Sequence, residues 1–505
     1  MATATVYATS SGTGQSRVSR GPAGPTPLLD DFPLFVLDAT DLQLGVRTRP
    51  AKGPHWALCS EDYGIPLRGR EVDSFRHDCG GDRHWAGTDR KGPALSFDQT
   101  MGDTMTDSVI QLPTAGETVL ETYERIAQRG PLVPVELTGA VAAWTAVSYQ
   151  AVSEVLAGDG TVFSKNAQKC PALHDGTIPA DWPMRAFTDI DHMLNKDGED
   201  HRRLRKTISA AFTPARVAAL ESRIQRIALE LIDGFADEQG EVDLIPRFTL
   251  PFPVRVICEL YGVEDADQSR LRDWAAILMS HTSTAEQMQA AMGEMLTFLG
   301  DFLEAKRREP GDDLTSAMLA ANTDNLTTDD MVNMLWLVIM AGHETTVHLL
   351  ANAIIALSDN PEQLDKALTE DRWADVVEEA LRYRSPVYSA NLRYAQQDVT
   401  IAGVDLPKGA IVIWNGNVGR DPERYPEADV FDIDHDHRGQ LAFGRGPHVC
   451  LGAPLARLEA RIALSALFNR FPLLRLAQES ALLAISPQIM TAGPLALPVR
   501  LYPAD

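Results

Sequence analysis

The chain has 505 residues, 44% of them hydrophobic and 23% charged, which is the composition of a folded globular protein able to bury a sizeable core. Its formal charge of −24 argues against a nucleic-acid partner, because such binding rests on Lys and Arg neutralising phosphates. Five scattered cysteines (Cys59, Cys79, Cys170, Cys258 and Cys450), odd in number and without CxxC spacing, fit a reducing compartment rather than a disulfide framework.

Residues 1–104 carry Gly, Pro, Ser and Thr punctuation with no sustained period of 3.6 or 2, and are expected to be a flexible extension or a stretch ahead of the true start. They contain 11 Lys/Arg and 13 Asp/Glu, a net of −2, so −22 of the −24 belongs to the remainder. No basic segment followed by an apolar one marks a signal peptide. The strongest apolar stretch, Met334 to Gly342, is far short of the roughly 18 residues a membrane span needs, so a cytoplasmic protein without a membrane partner is expected.

From Glu117 onward amphipathic helical patterns dominate, as over Pro214–Ala236, Glu286–Arg308 and Thr328–Leu357. Strand-like alternation is confined to short pieces, Val399–Val404 and Ala410–Trp414, so the class is mainly α with a minor β component. His201-Arg202-Arg203-Leu204-Arg205 opens one helix with a basic cluster, which is ordinarily a solvated face. Thr328-Asp329-Asp330 offers an N-cap and an acidic first turn to the longest helix, whose length would be about 45 Å. Inside it Ala341-Gly342-His343-Glu344-Thr345-Thr346 interrupts an apolar run, and Gly with Thr hydroxyls loosens a helix locally. Glu379 and Arg382, three apart on the helical segment Trp373–Arg384, share a face, and Ser385-Pro386 ends it.

Near the C-terminus, Phe443-Gly444-Arg445-Gly446-Pro447-His448-Val449-Cys450-Leu451-Gly452 crowds three glycines and a proline around one cysteine ahead of a helix. Glycines let a backbone wrap closely round a ligand atom, and a helix beginning just after Cys450 points its positive dipole end at the sulfur, favouring thiolate over thiol. A cysteine is more often a small buried hydrophobe, but these surroundings reverse that preference.

This loop resembles the haem-binding signature of the cytochrome P450 superfamily, Phe-Gly-x-Gly-x-His-x-Cys-x-Gly, at every fixed position. Residues 341–345 resemble the same family's oxygen-activation motif, and Glu379-x-x-Arg382 its buried Glu-x-x-Arg pair. The resemblance runs from about residue 105 to the end and is closest to soluble actinobacterial members. It implies a cytochrome P450 fold with a long central helix crossing above the haem, a monooxygenase domain over 105–505, and haem b bound through an axial thiolate from Cys450. By the same resemblance Glu344 and Thr345 are the acid and alcohol that pass protons to dioxygen, and Gly342 leaves room for oxygen. His201, Arg205, Arg393 and His448 contact the haem propionates, Phe443 shields the sulfur, and Gly452 completes the cofactor loop. Glu379 and Arg382 are structural. An axial thiolate pushes electron density onto iron, which is what dioxygen cleavage requires.

The implied reaction inserts one atom of dioxygen into a C–H bond of a hydrophobic small molecule of polyketide, macrolide, terpenoid or steroid type. Electrons come from NAD(P)H through ferredoxin and ferredoxin reductase, and the protein acts as a monomer. Phe187, Met193, Val338, Tyr388 and Ile489 are among the pocket candidates by topology. Competing readings are a non-catalytic haem sensor, a peroxide-driven oxygenase, and a metal site at Asp434-His435-Asp436-His437. Two positions depart from the family pattern: His435 stands where an arginine usually completes a triad with Glu379 and Arg382, and Gln440 where close relatives often have His. Arg438 is the nearby candidate to replace that arginine.

Overall fold

The computed structural model describes residues 109–112, 119–210, 212–279, 283–389, 392–486 and 490–503. The extension expected over residues 1–104 lies outside the described residues, as does Ile489. Helices dominate, with strands short and few, as the patterning predicts.

Eight helices carry the argument: α1 (Gly198–Ser209), α2 (Glu221–Asp233), α3 (Pro251–Tyr261), α4 (Asp265–Met279), α5 (Ala285–Arg308), α6 (Thr328–Asp359), α7 (Trp373–Tyr383) and α8 (Ala453–Arg470). The central one, α6, spans 32 residues, about 48 Å at 1.5 Å per residue. Its cap falls one residue earlier than expected. Thr327 Oγ1 accepts from the Asp330 amide at 3.0 Å, and Asp330 Oδ2 accepts from the Thr327 amide at 3.0 Å, a reciprocal capping box. Among the described residues α6 alone is long and apolar enough in composition to cross a membrane, yet 67% of its most apolar window is buried inside the fold. It packs on α3, α5, α7 and α8, and Leu335, Leu350, Ile354, Ile355 and Leu357 are wholly buried there.

Two expected elements are subdivided. Pro214–Ala236 forms a short helix, Pro214–Ala219, followed by α2, because at Leu220 the amide bonds three residues back to Val217 and tightens the turn. Val399–Val404 is half of a hairpin, Val399–Ile401 paired with Val404–Leu406. Ala402 (φ 45°) and Gly403 (φ 80°) turn it through two left-handed residues, the conformation tight hairpins demand.

The main sheet orders β1 (Ile110–Leu112), β2 (Leu132–Leu137), β3 (Val141–Ala146), β6 (Ile411–Trp414), β5 (Arg393–Ala395) and β4 (Phe163–Ser164). Antiparallel register sets Ser164 opposite Tyr394 and Arg393 opposite Val412. This pairing brings the segment leaving β4, Lys165 onward, beside Arg393, more than two hundred residues later in the chain.

Candidate functional site

Cys450 is held in a loop whose shape its glycines determine. Gly444 (φ 71°) and Gly446 (φ 76°) adopt the left-handed region, and a Cβ at Gly446 would stand 3.1 Å from the Leu156 carbonyl. The Cys450 amide donates to the Phe443 carbonyl at 2.8 Å, closing the loop on itself. Cys450 is exposed although protein atoms crowd round its thiol, so the sulfur faces a recess in the protein. Burial pushes its pKa up. The amides of Gly452 and Ala453, at the uncapped start of α8, and the guanidinium groups of Arg205 and Arg457 pull the other way. The Arg457 guanidinium lies 4.5 Å from the Phe443 ring centroid, holding that ring beside the loop.

One end of this region gathers basic side chains. His201, buried on α1, and His448 have rings 4.2 Å apart, and His201 Nε2 has no hydrogen-bond partner. Burial lowers the His201 pKa to about 4, helped by His448 and Arg205. Arg205 donates to the Val449 carbonyl at 2.7 Å, which ties α1 to the cysteine loop. Arg393 is buried with Asp159, Nε to Oδ1 at 2.7 Å and a second nitrogen to Oδ2 at 2.9 Å. Expected only as a propionate contact, it already has this carboxylate as a partner.

Two residues that the motif comparison did not flag complete the cluster. Asp197 sits between elements: the Lys165 amide donates to its carboxylate at 3.2 Å, Ser164 Oγ hydrogen-bonds to it, and His448 Nε2 is 3.8 Å away. Against the burial that would raise it, these neighbours hold its pKa down to about 2. Lys165 is 5% exposed, and its ammonium lies within ion-pair distance of no carboxylate among the described residues. Burial, reinforced by Arg393, lowers its pKa to about 7. A reachable thiol, an orphaned imidazole nitrogen and an unpaired buried ammonium form a donor set that fits haem b, which presents one metal and two carboxylates.

On α6, Leu335–Leu337 and Val347–Leu357 are buried whereas Ala341 between them is exposed. A Cβ at Gly342 would stand 3.4 Å from Ile257 Cδ1 of α3, an ordinary van der Waals contact. Thr345 Oγ1 donates to the Ala341 carbonyl at 2.8 Å and Thr346 Oγ1 to Gly342 at 3.0 Å, the backbone competition expected of threonines. Glu344 Oε1 is 3.7 Å from His348 Nε2, and buried His343 has its pKa lowered by burial to about 4. A cleft of about 1100 Å³ lined by Arg270, Phe298, Phe302 and Lys306 belongs to α4 and α5 and includes none of these residues.

Glu379 and Arg382 are fully buried and joined at 2.6 and 2.8 Å. Arg382 also donates to the carbonyls of Gly419, Ala428 and Val430. The arginine missing at position 435 is replaced by two histidines, His435 Nδ1 at 3.0 Å and His437 Nε2 at 2.9 Å from the Glu379 carboxylate. Arg438 does not take that place: it is exposed and paired with Asp436 at 2.7 Å. Gln440 reaches Glu378 instead. Asp434 pairs with Lys366 and Arg372, so the Asp434–His437 run is committed to ion pairs. Among the described residues no cluster of three metal-binding side chains occurs.

Comparison with known proteins finds extensive similarity. The family model described as cytochrome P450 matches residues 254–493. Among curated proteins the chain is 34% identical over 393 residues to 6-deoxyerythronolide B hydroxylase of Saccharopolyspora erythraea, covering 75% of this chain and 95% of that protein. It is 40% identical over 362 residues to vitamin D(3) 25-hydroxylase of Pseudonocardia autotrophica, covering 68% and 89%. The solved structure of testerone-bound CYP154C4 from Streptomyces sp. ATCC 11861 superposes with a TM-score of 0.74 at 37% identity, covering 78% of this chain and 98% of that one.

Proposed function

The chain belongs to the cytochrome P450 family of haem-thiolate monooxygenases, and on that premise we propose that Cys450 is the sulfur ligand of its haem b and that Glu344 and Thr345 manage the protons its reaction consumes. Bound haem supplies the activation of dioxygen and the transfer of one oxygen atom to an unactivated C–H bond. The chain's own residues supply the rest. The Gly452 and Ala453 amides and Arg205 stabilise negative charge on the Cys450 sulfur, while Phe443 keeps water from it. His201, Arg205, His448 and Arg393 orient the cofactor through its carboxylates. Thr345 exchanges its Ala341 carbonyl for a partner in the space that Ala341 borders, and Glu344, one residue away, replenishes the proton it gives up.

The substrate is a hydrophobic small molecule of macrolide, other polyketide, terpenoid or steroid type, in keeping with relatives that act on 6-deoxyerythronolide B and vitamin D(3). Met193, whose amide is 3.4 Å from Met334 Sδ on α6, is one apolar wall for it. Electrons reach the site from NAD(P)H through a ferredoxin and its reductase, and residues 105–505 form the monooxygenase domain.

The observation that carries this reading is the Cys450 thiol, crowded by protein yet opening on a recess and faced by two helix-start amides. Cys450→Ser tests it. The reduced carbon-monoxide complex of the native protein shows the strongly red-shifted Soret band of a thiolate ligand, and the variant loses it; a variant that keeps the band removes Cys450 as ligand.

A further inference from the structure

Resting on the haem assignment proposed above, the buried basic side chains beside the cysteine loop carry a further step. Where β4, β5 and the start of α1 meet, four ionic groups come together: Lys165, Asp159, Arg393 and Asp197. Three of the four are committed. Arg393 and Asp159 form a two-point ion pair at 2.7 and 2.9 Å, with both side chains out of solvent. Asp197 accepts from Ser164 Oγ and the Lys165 amide, with His448 Nε2 at 3.8 Å and Lys169 Nζ at 3.9 Å. The Lys165 ammonium is left over, 5% exposed and with no carboxylate among the described residues at ion-pair distance.

A buried cation without a counter-ion destabilises the fold that holds it, and an apolar side chain of similar length would pack there at less cost. Its neighbours indicate what answers the charge. His201 and His448 both feel the Lys165 ammonium, and His448 stands two residues before Cys450. Arg205, which ties α1 to the same loop through the Val449 carbonyl, feels the Cys450 sulfur. The ammonium thus belongs to the basic edge beside the proposed iron ligand, where a cofactor with two carboxylates would present them.

We propose that Lys165 supplies the unpaired positive charge that receives a haem carboxylate, and that haem binding is thereby coupled to the uptake of a proton by this side chain. Arg393 is the weaker candidate for that charge because Asp159 already neutralises it. In the haem-free protein burial, reinforced by Arg393, lowers the Lys165 pKa to about 7, so above that pH the side chain is mainly the neutral amine. Beside a carboxylate it regains the ammonium form: one proton passes from solvent to Nζ, and no electron moves. The other groups facing Lys165 are silent between pH 7 and 9. Burial lowers His201 and His192 to about 4 and also lowers His448, while hydrogen bonds from His448 and Ser164 hold Asp197 at about 2 against its burial. Asp159, Arg393 and Lys169 are the remaining charges around it. The sign follows from linkage: haem is held most tightly at and below about pH 7, and the contribution of Lys165 fades as pH rises until the haem-bound ammonium itself loses its proton.

The test equilibrates the haem-loaded full chain with a competing haem-binding protein from pH 6 to 9.5, native protein and variants in parallel, and reads the partition from their absorption bands. The Cys450 thiol gives up its proton to bind iron in every case, so it cancels from the comparison. Native protein should hold haem on the order of 10-fold more tightly than Lys165→Met at pH 6, and the advantage should shrink to about twofold by pH 9, the span of a pKa raised by about one unit on binding. Lys165→Gln is the second neutral variant should Met fail to fold, and should behave likewise. A native-to-variant ratio that stays level across this range, whether at one or above it, overturns the proposal, because packing or shape alone does not titrate. The carbon-monoxide spectrum separates this from the underlying reading: a native protein without the thiolate band sinks both, whereas a normal band with a level ratio sinks the proton coupling alone.

Discussion

Around Glu379 every donor is used, whereas along α6 from Glu344 to Asn352 several polar atoms have no partner. Arg382 commits all five of its N–H groups, two to Glu379 and three to the carbonyls of Gly419, Ala428 and Val430. Glu379 accepts in addition from the Asp432 amide, His435 and His437. A saturated buried network has one arrangement and resists change, so it suits a scaffold for the cysteine loop. The stripe along α6 instead keeps buried polar atoms unsatisfied, at a cost of about 1–3 kcal/mol each that a scaffold avoids. Glu379 and Arg382 are wholly buried and His348 nearly so, and what separates the two regions is how completely hydrogen bonding is fulfilled.

The largest effect should come from breaking the saturated side. Glu379→Ala leaves the Arg382 guanidinium charged and unpaired in the interior, a loss of about 3–5 kcal/mol. Thermal unfolding should show a melting temperature lowered by many degrees together with poor haem retention. A melting temperature within a degree or two of the native value would mean that this network does not hold the cysteine side together.

Lys165, buried near Arg393, Asp159 and Asp197, shares the unsaturated condition at the edge proposed to hold the cofactor. Its folded-state pKa of about 7 lies below the ordinary 10.5, so between those values the unfolded chain holds a proton that the folded one lacks. Stability of the haem-free protein should therefore rise with pH across that window, and the burial penalty is complete below about pH 7. Lys165→Met should abolish the rise and stabilise the haem-free protein at pH 7 by about 2–4 kcal/mol, while speeding haem loss about 10-fold by removing a charge-assisted contact. Denaturant titrations at several pH values and haem transfer to an acceptor protein measure the two halves. A haem-free protein whose stability is flat from pH 7 to 10 would show that Lys165 is not penalised.

Much of this was legible in the sequence where chemistry is local. Ten consecutive residues specify the Cys450 loop, and α6 is set by apolar runs on either side of residues 341–346 with a capping signal at its start. The hairpin at Ala402-Gly403 went unread because one strand pattern looks the same whether it runs straight or turns back. Lys165 and Asp197 were hidden for a different reason: their surroundings arise from the β4–β5 pairing, which joins Ser164 to Tyr394. His348 is visible as a residue type, but its lack of partners depends on a loop more than a hundred residues away at Gly493. His437 stands outside the family pattern, so its contact with Glu379 shows only in the fold.

That compensation yields the finest test. If the two histidines jointly replace the missing arginine, His437→Ala removes one donor from a buried carboxylate and should cost about 1–3 kcal/mol. Arg438→Ala, one residue on, removes a charge paired only with exposed Asp436 and should leave the melting temperature where it was. The pair of variants separates proximity in sequence from contact in space, because the arginine is chemically the better match to the lost residue and the histidine is the one that touches Glu379. Thermal melts of both in one buffer decide it. Equal losses would mean that Glu379 draws on the charge of the whole loop and not on the individual hydrogen bonds that reach it.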